Sequence, residues 1–72
     1  MQEKGQVIFF NEEEGYGFIR PASGGDNIFV HATGINADGP NRYLLKGDVV
    51  TFDVTRTDRG SKAVNVSVIY EG

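Results

Sequence analysis

The sequence holds no cysteine and no tryptophan, and only one histidine and one methionine in 72 residues. Without cysteine there is neither a disulfide framework nor a thiolate zinc site, and one histidine cannot build a His-only metal site. No metal and no cofactor are expected. No apolar run approaches the roughly 20 residues of a membrane helix. The start Met1-Gln2-Glu3-Lys4-Gly5 also lacks the charged-then-apolar order of a secretory signal. A cytoplasmic protein with no membrane partner is the expectation. Positive charge is scarce as well, with 7 Lys+Arg against 10 Asp+Glu and a net charge of −3. Holding duplex DNA by phosphate neutralisation relies on many cations, so composition argues against that mode.

What the chain does have is glycine and β-formers. Ten glycines divide it into short runs rich in Val, Ile, Phe, Tyr and Thr, and no segment shows the i, i+3, i+4, i+7 spacing of an amphipathic helix over three turns. The runs 6–11, 16–20, 27–32, 49–55 and 63–70 predict five strands and an all-β fold. Short turn-like links at Glu12-Glu13-Glu14-Gly15 and at 21–26 make the first three strands an antiparallel meander. Between Thr33 and Asp48 lies a long loop with room for one helical turn near 33–37, and Asp58-Arg59-Gly60 forms the last hairpin. Five strands with one long connection fit a small closed or nearly closed barrel, which hides edges that a flat sheet would expose. A chain of this mass buries only about 60% of its unfolded surface, so a single domain over 1–72 with one thin core is expected.

Alternation sorts the side chains. Tyr16, Phe18 and Arg20 share one face of the second run, and Asn27, Phe29 and His31 one face of the third, while Ile19, Ile28, Val30 and Ala32 belong inside. Large rings therefore stand among polar groups on the solvent side. In the last two runs Val50, Phe52 and Val54, and Val64, Val66 and Val68, are read as inward, backed by Thr51, Asp53, Thr55, Asn65 and Ser67. Phe9 and Phe10 are adjacent, so strict alternation sends one of them outward unless a bulge intervenes. An exposed ring cluster of this kind marks an interaction surface. Its chemistry suits single-stranded nucleic acid, because every base offers a π-face and stacking on an aromatic is worth about 1 to 3 kcal/mol per base. Arg20, His31 and Lys62 would supply donors to bases or phosphates. The same face also fits a second core under the long loop, or an interface with another polypeptide or a second copy. The run Glu12 to Glu14 is a solvated turn rather than an acid/base pair, and His31 has no Ser or Cys nucleophile in its local pattern, so no enzyme is read here.

At these residues the sequence resembles the cold-shock domain family. Glu14-Gly15-Tyr16-Gly17-Phe18-Ile19 is similar to the family's Lys-Gly-Phe-Gly-Phe-Ile element, and Asn27-Ile28-Phe29-Val30-His31 to its Asp-Val-Phe-Val-His element. Gly5-Gln6-Val7-Ile8-Phe9-Phe10-Asn11 stands where the family has Gly-Lys-Val-Lys-Trp-Phe-Asn, and the likeness runs through nearly the whole chain. The resemblance implies a five-stranded antiparallel OB-fold barrel. It also implies a protein that binds single-stranded DNA and RNA as an RNA chaperone or a regulator of transcription or translation; pyrimidine-rich strands as partner and a monomer rather than a dimer are the accompanying expectations, with strand exchange between copies left open. Carried over residue by residue, it implies stacking or contact positions at Phe9, Phe10, Tyr16, Phe18, Phe29 and His31, with Asn11 and Arg20 as flanking polar contacts. The chain departs from the pattern in several places. Phe9 replaces a tryptophan, and Ala32-Thr33 stands where Phe-Ser is usual. Glu14 and Ile8 replace basic residues, and the loop through Gly39-Pro40-Asn41-Arg42-Tyr43 is one residue longer.

Overall fold

In the computed structural model, residues 2–36 and 43–69 are described, and they form five strands and one 3-10 turn. The strands are β1 (Glu3–Asn11), β2 (Tyr16–Pro21), β3 (Ile28–His31), β4 (Val49–Thr57) and β5 (Gly60–Val68), with the 3-10 turn at Ala32–Gly34. They close into a barrel in the order β1-β2-β3-β5-β4. The meander β1–β2–β3 and the hairpin β4–β5 are antiparallel, as is the β1–β4 pair; the closing β3–β5 pair is parallel, through Phe29–Lys62 and Val30–Ala63. Most of the barrel is thus antiparallel, and the parallel seam is what the long connection from β3 makes possible.

The core is aliphatic with one ring. Val7, Ile19, Ile28, Val30, Val50, Phe52, Ala63 and Val66 come from all five strands, and Ile35 and Leu44 add to them from the long connection. Ile35 is tied down by a parallel bridge to Val66, and the Asn36 N–H donates to the Val66 carbonyl at 2.7 Å. The loop features expected at 37–42, including Asp38-Gly39-Pro40-Asn41 and the end of the helical turn, lie outside the described residues, as do Tyr70 and the end of the fifth run. Among the described residues no helix is long and apolar enough to cross a membrane.

Two one-residue insertions displace side chains from where alternation puts them. Between Val7 and Phe9 the register against β2 shifts, so that Val7 pairs with Ile19 and Phe9 already with Phe18. The extra residue, Ile8, leaves Phe9 outward and Phe10 inward. On β5 a second shift places Asn65 and Val66 opposite Phe52 alone, between the pairs Thr51–Ser67 and Asp53–Val64. Asn65 adopts φ 54°, a left-handed conformation that asparagine tolerates better than most residues. The inward set of β5 is therefore Ala63, Val66 and Val68, and Val64 moves out beside Asp53, which corrects the alternation of Val64, Val66 and Val68. Val54 is also corrected: it is 39% exposed because β1 covers β4 only as far as Phe52, and the hairpin continues past the core. Ala32 starts the 3-10 turn instead of ending β3.

Candidate nucleic-acid interface

The register lines up the outer side chains of four strands. Phe9 on β1 pairs with Phe18 on β2, Phe18 with Phe29 on β3, and Phe29 with Lys62 on β5. A second row runs beside it through Asn11, Tyr16 and His31, and a third holds Gln6 opposite Arg20. Tyr16 is the hub of the rings. It stacks on Phe29 at 5.9 Å with an interplanar angle of 20°, and meets Phe9 at 6.0 Å and Phe18 at 6.4 Å edge to face. Phe18 and Phe29 close the set at 6.0 Å. Such pairs hold one another in place while leaving faces open, since edge-to-face contacts cover a ring only in part. None of the four belongs to the buried core, and Phe9 is 43% exposed.

Gly17 is what lets this surface form. A Cβ there would lie 2.2 Å from the Phe9 carbonyl oxygen and 2.7 Å from Cδ2 of Phe10, so only glycine lets β1 and β2 approach this closely between the two rings of β2. Phe10 uses that space. It pairs with Gly17 and packs half-buried against the core, and it shares no ring contact with the four-ring cluster. The structure thus brings Phe9, Tyr16, Phe18 and Phe29 together and sets Phe10 on the inner side of β1, a separation caused by the bulge at Ile8.

The polar residues around the rings are held in different ways. His31 caps the 3-10 turn: its Nδ1 accepts the Thr33 N–H at 3.2 Å and lies 2.9 Å from Thr33 Oγ1. Nδ1 is thus engaged within the turn, which leaves Nε2 as the ring nitrogen without a partner in the turn. Asn11 Oδ1 accepts the Glu14 N–H at 3.0 Å, which ties this side chain to the turn carrying the exposed Glu12, Glu13 and Glu14. Arg20 is exposed at the far end of β2 from that turn, and Lys62 is half-buried beside Phe29.

A depression of about 470 Å³ opens where Phe18 and Phe29 meet the β4–β5 hairpin, lined also by Thr57, Arg59, Ser61 and Lys62. Thr57 builds the hairpin turn: its Oγ1 donates to the Gly60 carbonyl at 2.8 Å and accepts the Arg59 N–H at 3.2 Å. Read along the sequence, 58–60 is only a turn, and nothing local places Thr57, Arg59 or Ser61 at the ring face. The signal available was a cation at the tip of a hairpin, but the β3–β5 pairing that carries this hairpin to the rings is non-local.

Comparison with known proteins agrees with this geometry. Residues 3–69 match the family described as the 'Cold-shock' DNA-binding domain. The chain is 44% identical over 63 residues to the cold shock protein ScoF of Streptomyces coelicolor, covering 88% of this chain and 92% of that protein. It is 44% identical over 66 residues to the cold shock-like protein CspC of Escherichia coli K12, covering 92% and 94%, and 45% over 62 residues to CspG of Shewanella violacea, covering 86% and 87%. Among solved structures, drosophila Unr superimposes with a TM-score of 0.81 at 21% identity, over 100% of this chain and 28% of that one, a likeness of fold. An OB-fold barrel with these rings on its outer face and a match over almost its entire length places the chain in the cold-shock DNA-binding domain family.

Proposed function

We propose that this protein binds single-stranded RNA or DNA by stacking bases on the row Phe9, Phe18, Phe29 and on Tyr16, acting as an RNA chaperone or as a regulator of transcription or translation in the cytoplasm. The observation that carries this reading is the row itself: three pairs of strands bring Phe9, Phe18, Phe29 and Lys62 side by side on the outer face of the barrel. Each stacked base contributes about 1 to 3 kcal/mol, which a chain of net charge −3 needs more than a basic protein does. His31 donates from Nε2 to a base or phosphate oxygen, Lys62 and Arg20 meet phosphates, Asn11 adds a polar contact at the turn, and Phe10 steadies β1 from the core side. Pyrimidine-rich strands are the favoured ligand and a monomer of one domain the working form.

The test is fluorescence anisotropy of a labelled pyrimidine-rich single-stranded heptamer at roughly physiological salt, with the matching duplex as control. Single-strand binding without duplex binding is expected. No binding to either, together with a concentration-independent dimer by light scattering, would overturn the reading in favour of a self-associating module.

A further inference from the structure

The outer ladder of β1 and β2 does not end at the rings. Two residues beyond Phe18 it reaches the pair Gln6–Arg20, and then the Ala22 N–H donates to the Lys4 carbonyl at 2.8 Å. Here the surface dips into an open depression of about 400 Å³, lined by Lys4, Gln6, Arg20, Pro21, Ala22 and Val49. Two cations and an amide stand over a floor of small apolar groups, and no carboxylate is among the described residues that line it. The Gln6 side chain is held toward β4 by donating to the Gly47 carbonyl at 3.2 Å.

The opposite end of the same ladder carries the reverse charge. Glu12, Glu13 and Glu14 occupy the β1–β2 turn, past the Asn11–Tyr16 pair. Four residues of extended β2, about 13 Å, separate the Asn11–Tyr16 pair from the Gln6–Arg20 pair. That exceeds the ~8 Å Debye length at physiological salt, so these three carboxylates do not cancel the attraction of Arg20 for an anion. A strand stacked on the rings is repelled at the turn and attracted at the other end.

We infer that the Lys4–Gln6–Arg20 depression is a phosphate-binding subsite that anchors the backbone of the strand whose bases stack on Phe9 and Phe18. The inference rests on the stacking reading for its occupant and adds a position and a direction: the phosphates next to the stacked segment leave along β1 and β2 toward Arg20, away from the acidic turn. Phe18 and Arg20 are about 7 Å apart along β2, a spacing that puts the guanidinium at the phosphate adjacent to a stacked base. Arg20 grips two phosphate oxygens with its planar fork, Lys4 adds a point charge, and the Gln6 amide stays with Gly47 as part of the wall.

The experiment measures the salt dependence of heptamer binding for the wild type, Arg20→Gln, Lys4→Gln/Arg20→Gln and Arg56→Gln. Arg56 lines neither depression and controls for net charge. Single strands give a slope of log K against log salt of about −0.7 per neutralised phosphate. With phosphates at Lys4, Arg20 and Lys62 the wild type gives about −2.1, Arg20→Gln about −1.4 and the double variant about −0.7. Affinity at 0.1 M salt falls about 5-fold and about 25-fold respectively. Arg20→Lys restores most of the slope, and Arg56→Gln leaves it unchanged. A second probe is an abasic heptamer, which carries phosphates without bases. It shifts the amide resonances of Gln6, Arg20 and Ala22 in the wild type and not in the double variant. Heptamer binding with the wild-type slope retained in the double variant would overturn the phosphate subsite and leave stacking intact. Abasic binding at Gln6 and Arg20 without tighter binding of the pyrimidine strand would uphold the subsite and overturn stacking, and binding of neither probe would overturn both.

Discussion

The outer face of β1–β2–β3 and the outer face of β4–β5 are two sides of one barrel laid over the same core, and they resolve the exposure of a strand differently. On β4–β5 the outward groups bond to one another. Asn65 Nδ2 donates to Asp53 Oδ2 at 3.2 Å, Asn36 Nδ2 donates to Asn65 Oδ1, and the same amide reaches Ser67 Oγ at 3.4 Å. On β1–β2–β3 the outward groups are rings that, among the described residues, touch one another edge to face or in one stacked pair and stay outside the buried core. A face whose polar groups are mutually satisfied has little left to offer a ligand. A face of half-covered rings has much, and its apolar exposure is the cost of that readiness.

If the two faces share one core, damage to the core should disable both. Phe52 is fully buried and contributed by β4. Phe52→Ala is expected to cost about 3 to 5 kcal/mol and, at roughly 4 to 8 °C per kcal/mol for a domain of this size, to bring the melting temperature down far enough to unfold much of the population at 37 °C. Calorimetry reads this directly, and a shift of only a few degrees would mean the barrel interior is not the common support.

A ring on the binding side should separate the two quantities. Phe18→Ala is expected to weaken single-strand binding by about 1 to 3 kcal/mol, or 5- to 150-fold, while the loss of two edge contacts costs at most about 1 to 2 kcal/mol of stability. Titration and thermal melts on one sample decide it. Unchanged affinity with a large drop in melting temperature would assign Phe18 to the core.

The reverse pattern is expected on the other side. Asn65→Ala loses two side-chain hydrogen bonds and places a less tolerant residue at φ 54°, for about 1 to 2 kcal/mol of stability and no change in affinity. Asn65→Gly keeps the backbone conformation and costs less. Equal losses in the two variants would show that the left-handed conformation at the bulge contributes nothing measurable.

These contrasts also show what the sequence could disclose. The ring face was legible because β2 and β3 keep strict alternation, so Tyr16, Phe18 and Phe29 fall opposite Ile19, Ile28 and Val30 without exception. Period two is a local property, and local properties can be read along a chain. The adjacent Phe9 and Phe10 raise the question of a bulge in β1 without deciding it, and nothing marks the one at Asn65, since one inserted residue leaves composition unchanged and simply moves every later side chain to the other face. Hence Phe10 turned inward, Val64 turned outward and Ala63 entered the core. The part of the site built by non-local pairing was hidden for a different reason. Lys62 was expected as a donor, but its place beside Phe29, and that of Arg59 at the rim, follow from the parallel β3–β5 seam. Val54 reads as inward from the sequence because hydrophobicity does not reveal where β1 stops covering β4.

The most direct test of the account is a map of amide and aromatic resonance shifts as the pyrimidine-rich heptamer is added. The account predicts large shifts at Phe9, Tyr16, Phe18, Phe29, His31 and Lys62, extending to Arg20, with Thr51, Asp53, Asn65 and Ser67 unmoved. Shifts concentrated at Asp53, Asn65 and Ser67 while the four rings stay still would contradict it.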